Sequence, residues 1–273
     1  MAKMDSEQEG LKWPVGVWDR ISPIYLREID NRFTGVVDAV IRRAALQSAQ
    51  QVLDLGTGTG SVAIKAASLV ALGGNVTAVD ISPEMLELAR QRAASLGLNN
   101  IEFLEGRAEE LPAPIGRFDA VLASLSLMYV IDRAAAAREI ARVLRPGGQF
   151  VAAVWGGPEQ ADIVLLQQTA GSFAPAPPVA GVGPGALADP AGFLAELERA
   201  GIRASVESET TGFVFDDFSS AWDVLAGVTT ALLPPERQQE AKILPRQDVA
   251  RRRRSPPFPQ FDTVYYRQPV IRV

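Results

Sequence analysis

Two spacings of apolar residues alternate along this chain. Short apolar runs at 52–55, 75–80 and 118–124 have the length and continuity of strands buried on both faces, and each leads into a stretch that can carry a helix. A first packed helix is expected over 61–70, and a second over 84–97 with Pro83 opening its first turn. A third strand is expected at the start of 101–112. A further helix, a Pro-Gly-Gly turn at 146–148 and a fifth strand should follow the run at 118–124. Residues 203–215 read as a sixth strand. Residues 261–271 could supply a seventh, antiparallel to it, with Pro269 at its end or at an edge position. Strands alternating with helices predict a doubly wound α/β sheet.

Around that core the pattern changes. Residues 10–46 set Trp13, Trp18, Tyr25 and Phe33 among alternating charges, as in one or two amphipathic helices. Residues 156–190 are rich in Gly, Pro and Ala and read as a cap or mobile loop. A helix resumes over 190–200 with Gly201 as its stop, and 218–242 has a helical pattern with Ser219 or Ser220 as its expected cap. The expected division is therefore an N-terminal helical segment at 1–46, a ligand-binding core at 47–155, a cap insert at 156–190, and 191–273 completing the core with a helical lid and a basic tail.

The chemistry concentrates where the first strand ends. VLDLGTGTG, residues 52–60, places an acid, Asp54, just before three glycines at alternate positions. Gly56, Gly58 and Gly60 let backbone approach a ligand at the carboxyl edge of the sheet, where open α/β folds bind. This is not the G-x-G-x-x-G spacing of a dinucleotide site. A fixed carboxylate there repels pyrophosphate and suits a ligand carrying an ammonium or sulfonium group. The second strand also ends at an acid, Asp80, which can accept from both hydroxyls of a ribose. Asp80 alone says nucleoside without saying which one.

VLDLGTGTG resembles motif I of the class I S-adenosylmethionine-dependent methyltransferases, closest in pattern to the small-molecule branch of the ubiquinone and menaquinone methyltransferases. FDAVLAS at 118–124 and the string Leu144-Arg145-Pro146-Gly147-Gly148 continue the resemblance. It implies a Rossmann-like seven-stranded, mostly parallel sheet in the order 3-2-1-4-5-7-6 with a helical cap. It also implies S-adenosyl-L-methionine as cofactor, S-adenosyl-L-homocysteine as product, and methyl transfer to an O, N or C nucleophile of a small molecule. The residues so implied at the cofactor are Asp54, Gly56, Thr57, Gly58, Gly60, Asp80, Ile81, Met85, Arg107, Ala108, Glu109 and Ser124.

Two departures stand out. Where the family usually reads Gly-Asp-Ala, with the Asp accepting from the adenine amino group, this chain has Gly106-Arg107-Ala108, and an arginine cannot accept. Where the family often shows a histidine pair, this chain has Met128 and Tyr129. Tyr129 and Tyr25 are the candidate catalytic residues; Trp18, Met128, Trp155 and Trp222 are candidates for the acceptor chamber, with Phe213, Phe215 and Leu225 as further lining. For each aromatic, simple packing remains the alternative.

Composition narrows the mechanism. With 273 residues, 47% of them hydrophobic, one large domain with an appended cap is expected. There is no cysteine and no histidine, so no disulfide, thiol nucleophile or imidazole base is available, and no metal site is expected. No apolar run is long enough for a membrane span, which makes a soluble cytoplasmic protein the default expectation. The net charge of −5 argues against nucleic acid as partner, and a homodimer is left open. Residues 242–273 hold eight Lys or Arg against two acids; the run 251–254 reads as a solvated or disordered linker. Two rivals survive: a nicotinamide-dependent reductase, and a protein that binds the cofactor without methylating, in a structural or cyclisation role.

Overall fold

Strand β1 (Gln51–Leu55) is buried on both faces because it runs through the middle of a parallel sheet, between β2 (Asn75–Asp80) and β4 (Phe118–Ser124). The computed structural model describes residues 15–114, 116–173, 179–226, 233–252 and 263–272. Trp13, residues 174–178 of the Gly/Pro-rich insert, and Arg253 with Arg254 lie outside them.

A helical run over 15–44 comes first. It consists of α1 (15–24), a π turn (Tyr25–Ile29), a 3₁₀ turn (Asp30–Phe33) and α2 (Thr34–Ala44), whose Val36, Val37 and Val40 are buried. After β1 come α3 (Ser61–Val70), β2, α4 (Pro83–Ser95), β3 (Ile101–Glu105), β4, a 3₁₀ turn (Leu127–Tyr129), α5 (Arg133–Val143) and β5 (Leu144–Ala153). Then follow α6 (Asp162–Gly171), α7 (Ala191–Arg199), β6 (Ser205–Val214), α8 (Phe218–Leu225), α9 (Pro235–Arg252) and β7 (Thr263–Arg272).

The strands lie in the order β3-β2-β1-β4-β5-β7-β6. Only the first five form the parallel part of the sheet; β7 pairs antiparallel with both β5 and β6. Pro269 explains how far β7 can bind β5. That pairing runs over 270–272 and stops one residue short of the proline, which has no N–H to offer.

Two local expectations need correction. Leu144 to Gly148 is not a turn ahead of the strand: β5 already pairs at Leu144 with Phe118, then slips so that Gln149 faces Ala120. The intervening residues bulge outward, with Gly147 at φ +77° and a missing Cβ at Gly148 close to the Phe118 carbonyl oxygen. Helix α8 is capped by Asp217, which accepts from the Ser220 amide at 2.7 Å, and not by Ser219 or Ser220. A carboxylate two residues ahead of Ser219 outcompetes a hydroxyl for the exposed amides of the first turn.

The order creates a switch point. From β1 the chain winds one way through β2 to β3, then returns to lay β4 on the other side of β1, opening a crevice at the carboxyl ends of β1 and β4. Leu122, fully buried at the centre of β4 and paired with Asp54 of β1, anchors that crevice from below. Leu122→Ala should lower the unfolding free energy by about 3 kcal/mol in urea titration, with little change in denaturant slope.

Candidate functional site

Four loops at the carboxyl ends of β1 to β4 converge on one cavity. Its wall includes Gly56 and Gly58 after β1; Asp80, Ile81 and Met85 from β2 and α4; Gly106 to Glu109 after β3; and Ser124 to Ser126 with Tyr129 to Ile131 after β4. Trp18 and Tyr25 of the N-terminal helical run complete it.

The glycine loop is stitched to β2 by its own backbone. The amides of Gly56 and Thr57 both donate to the Val79 carbonyl, at 2.8 and 3.0 Å, and the Gly58 amide donates to Asp80 Oδ2 at 2.8 Å. Asp80 Oδ1 takes the Ser82 amide at 2.9 Å, so the carboxylate is fixed while each oxygen keeps a further lone pair. Burial raises the Asp80 carboxyl above its ordinary range, and the amide bonds pull it back.

The three glycines do different work. A Cβ on Gly56 would overlap Ser126, whose Oγ donates to the Leu55 carbonyl and ties the β4 loop to β1. A Cβ on Gly60 would press on Ala89 of α4, so this glycine serves helix packing and does not line this cavity. Gly58, at φ +55°, has open space where its Cβ would stand, and this is the backbone a ligand can approach.

Beneath the loop is a smaller cavity lined by Asp30, Asp54, Thr57, Thr59 and Ser61. Asp54 is buried and accepts from Thr57 Oγ1 at 2.7 Å. Desolvation pushes its carboxyl up to about 7, against the lowering effect of the bonds from Thr57 and the Ala63 amide. A ligand bringing a positive charge here would restore the ionised form.

Of the expected site residues, Gly56, Gly58, Asp80, Ile81, Met85, Arg107, Ala108, Glu109 and Ser124 line the main cavity, as do Trp18, Tyr25 and Tyr129. Asp54 and Thr57 line the smaller one. Trp18 meets Tyr129 edge to face at 4.9 Å and Tyr25 at 6.2 Å. Burial moves both phenols well above their ordinary range, so neither is a base near neutral pH. Arg107 pairs with Glu109 at 3.4 Å, while Glu109 also accepts from the Ile131 amide.

Met128, Trp155 and Trp222 line neither cavity. Met128 is fully buried, Trp155 packs on Phe33 at 5.3 Å, and Trp222 lies against Phe218 at 6.2 Å. Phe215 and Leu225 are likewise core, and the side chain of Phe213 is outside the described residues. Missed by sequence reasoning were Asp30, Leu125 and Ser126. Leu125 carries a visible signal only in the backbone, a φ of +57° that a branched side chain adopts at a cost.

Residues 52–148 match the family described as methyltransferase domain. Residues 52–148 of this chain carry a methyltransferase domain. It is 37% identical over 109 residues to the ubiquinone/menaquinone biosynthesis C-methyltransferase UbiE of Cronobacter sakazakii, covering 40% of this chain and 43% of that protein. The UbiE of Proteus mirabilis is 38% identical over 112 residues, 41% and 45% of the two chains. The chain thus spans less than half the length of these relatives. The fold extends further: the crystal structure of the YcgJ protein of Bacillus subtilis superposes with a TM-score of 0.62 at 19% identity, over 88% of this chain and 96% of that one.

The methyltransferase domain decides against the nicotinamide alternative, and its residues fit S-adenosylmethionine. Open backbone at Gly58, two fixed acceptor oxygens at Asp80, an apolar Ile81 and Met85, and a buried acid at Asp54 supply the contacts a sulfonium nucleoside with an amino-acid tail needs. Arg107 brings no acceptor for an adenine amino group; Glu109 supplies the carboxylate beside it. No helix among the described residues is long and apolar enough to cross a membrane.

Three outcomes follow from this geometry. Gly58→Ala should weaken S-adenosylhomocysteine binding at least about tenfold in calorimetry, since the methyl enters ligand space, and should lower the melting temperature modestly, because an alanine held at φ +55° costs about 1 kcal/mol. Because Asp54 titrates near 7 in the free protein, affinity should rise about tenfold between pH 6 and pH 8, and Asp54→Asn should flatten that profile. For stability the sign is opposite. The folded pKa lies above the unfolded value of about 4, so the ligand-free protein should lose stability from pH 4 towards 7.

Proposed function

We propose that this protein transfers a methyl group from S-adenosylmethionine to a ring carbon of a small, electron-rich aromatic acceptor, such as a hydroxylated ring or quinol. The observation that carries this reading is the cavity wall. Trp18, Tyr25, Tyr129, Val130 and Ile131 offer flat apolar surface, while the carboxylates of the same cavity, Asp80 and Glu109, already hold backbone amides. An acceptor that needs deprotonation by the protein finds no suitable base; a carbon nucleophile with its own electron density needs none. The C-methyltransferase names of the UbiE relatives support the same choice.

S-adenosylmethionine supplies, when bound, a methyl carbon already activated by its positive sulfur. The chain's own residues align and dry the site: aromatic edges and faces from Trp18, Tyr25 and Tyr129 hold a planar acceptor and favour a nearby cation. Asp80 and Gly58 fix the nucleoside end, and Asp54 takes the ammonium end of the cofactor in its ionised form.

The same reading assigns a cap role to the helical run 15–33, the insert and the α8–α9 pair, around a core at 47–155. Two contacts support the insert's part in it: the Gly183 amide donates to the Met128 carbonyl at 3.0 Å, and the Arg133 guanidinium to the Gly181 carbonyl at 2.7 Å. Both draw the insert onto the loop that carries Tyr129.

The test is transfer of labelled methyl to a panel of hydroxylated aromatics, quinols and amines. Tyr129→Phe should keep kcat within about threefold, because the phenol is not the base, whereas Tyr129→Ala should cut kcat/KM at least about tenfold by loss of positioning. Preference for a simple amine over every aromatic acceptor would overturn the assignment.

A further inference from the structure

Among the contacts of the N-terminal helical run with the loops around the cavity is a buried acid, Asp30, that the functions above do not use. Asp30, buried, accepts from Thr59 Oγ1 at 2.7 Å and from Ser61 Oγ at 2.7 Å, and pairs with Arg92 of α4 at 3.0 Å. Arg92 in turn donates to the Thr59 carbonyl at 2.6 Å and to Ser61 Oγ at 3.1 Å. The far end of the glycine loop is thus held between an acid from one side and a guanidinium from the other.

The backbone ahead of Asp30 is a π turn. In an α-helix residues 25 and 30 would lie about 140° apart around the axis. Here the Asp30 amide bonds to the Tyr25 carbonyl, the i to i+5 closure of a π turn, which brings residue 30 over residue 25. Tyr25 and Asp30 therefore share one face. Tyr25 lines both cavities, and Asp30 lines the one beneath the glycine loop.

We propose that Asp30 is a positioning residue that couples occupancy of the cofactor site to order in the N-terminal segment. A ligand seated on Gly58 fixes Thr59 and Ser61; these fix Asp30, and the π turn passes that placement to Tyr25 in the wall of the acceptor chamber. Asp19, which accepts from Ser82 Oγ at 2.5 Å beside Asp80, gives the same segment a second hold on the cofactor loops. The proposal rests on the cofactor assignment above.

The test is backbone deuterium exchange of the full chain, with and without saturating S-adenosylhomocysteine, beside calorimetry of the same samples. Asp30→Ala alone would strand the Arg92 charge, so the informative variant is Asp30→Ala with Arg92→Met, which removes both. Leu122→Ala serves as a control that is destabilised without touching the latch. In the natural chain and the control, ligand should slow exchange over 16–33 at least about tenfold; in the double variant the slowing should be at least about threefold smaller while β1 and α3 remain protected. A smaller slowing in the natural chain, or an equal one in the double variant, would overturn the coupling. Calorimetry separates this from the cofactor assignment: if the natural chain binds no S-adenosylhomocysteine, the assignment fails and the coupling with it.

Discussion

The site depends on three successive amides. Gly56, Thr57 and Gly58 turn their N–H groups onto the Val79 carbonyl and the Asp80 carboxylate, so the loop that leaves β1 is bonded to the end of β2 before any ligand arrives. Buried backbone donors must be paired, and here that requirement fixes a glycine loop that propensity would leave loose. The pairing positions Asp80 as well, because the same carboxylate takes the Ser82 amide and is held at two points. Parallel pairing of β1 with β2 and β4 sets the register that makes these bonds reachable.

Much of this could be read from residues alone, because the relevant signals are local. Apolar runs leading to Asp54 and Asp80, Pro83 at the start of α4, and alternate glycines each report on their own few residues, and the strands and most of the cavity lining follow from them. What was illegible is what depends on distant partners. Asp30 meets Thr59 and Ser61 across about thirty positions of sequence, and nothing near Asp30 announces it. Met128, Trp155 and Trp222 look like chamber residues by type, yet burial claims them for packing, Trp155 against Phe33 and Trp222 against Phe218. An aromatic side chain reads the same in a core and in a pocket until the fold says which side of the wall it occupies. The strand start at Leu144 was hidden for a related reason: Pro-Gly-Gly codes a departure from regular pairing, and a bulge and a turn spend the same residues.

The buried acids show how binding and stability pull against each other in this fold. A carboxyl raised from about 4 to about 7 at Asp54 represents roughly 4 kcal/mol of preference for the neutral form in the empty protein. Replacing it with an amide would relieve that cost without changing its shape. A carboxylate at this position therefore makes physical sense only against a positive charge that arrives with the ligand, since an ion pair formed inside a dry cavity is worth more than the same pair in water. Arg92 and Thr57 cannot supply that charge: Arg92 is committed to Asp30, and Thr57 is neutral. The free protein is thus held short of its best stability at neutral pH by a group whose proposed partner is the cofactor. The same proposal accounts for polar bonds that can be named one by one at the proposed cofactor end of the site, and for aromatic surface at the proposed acceptor end. The first must recognise a fixed charge pattern; the second has only to hold a flat ring dry and still beside a carbon that is already reactive.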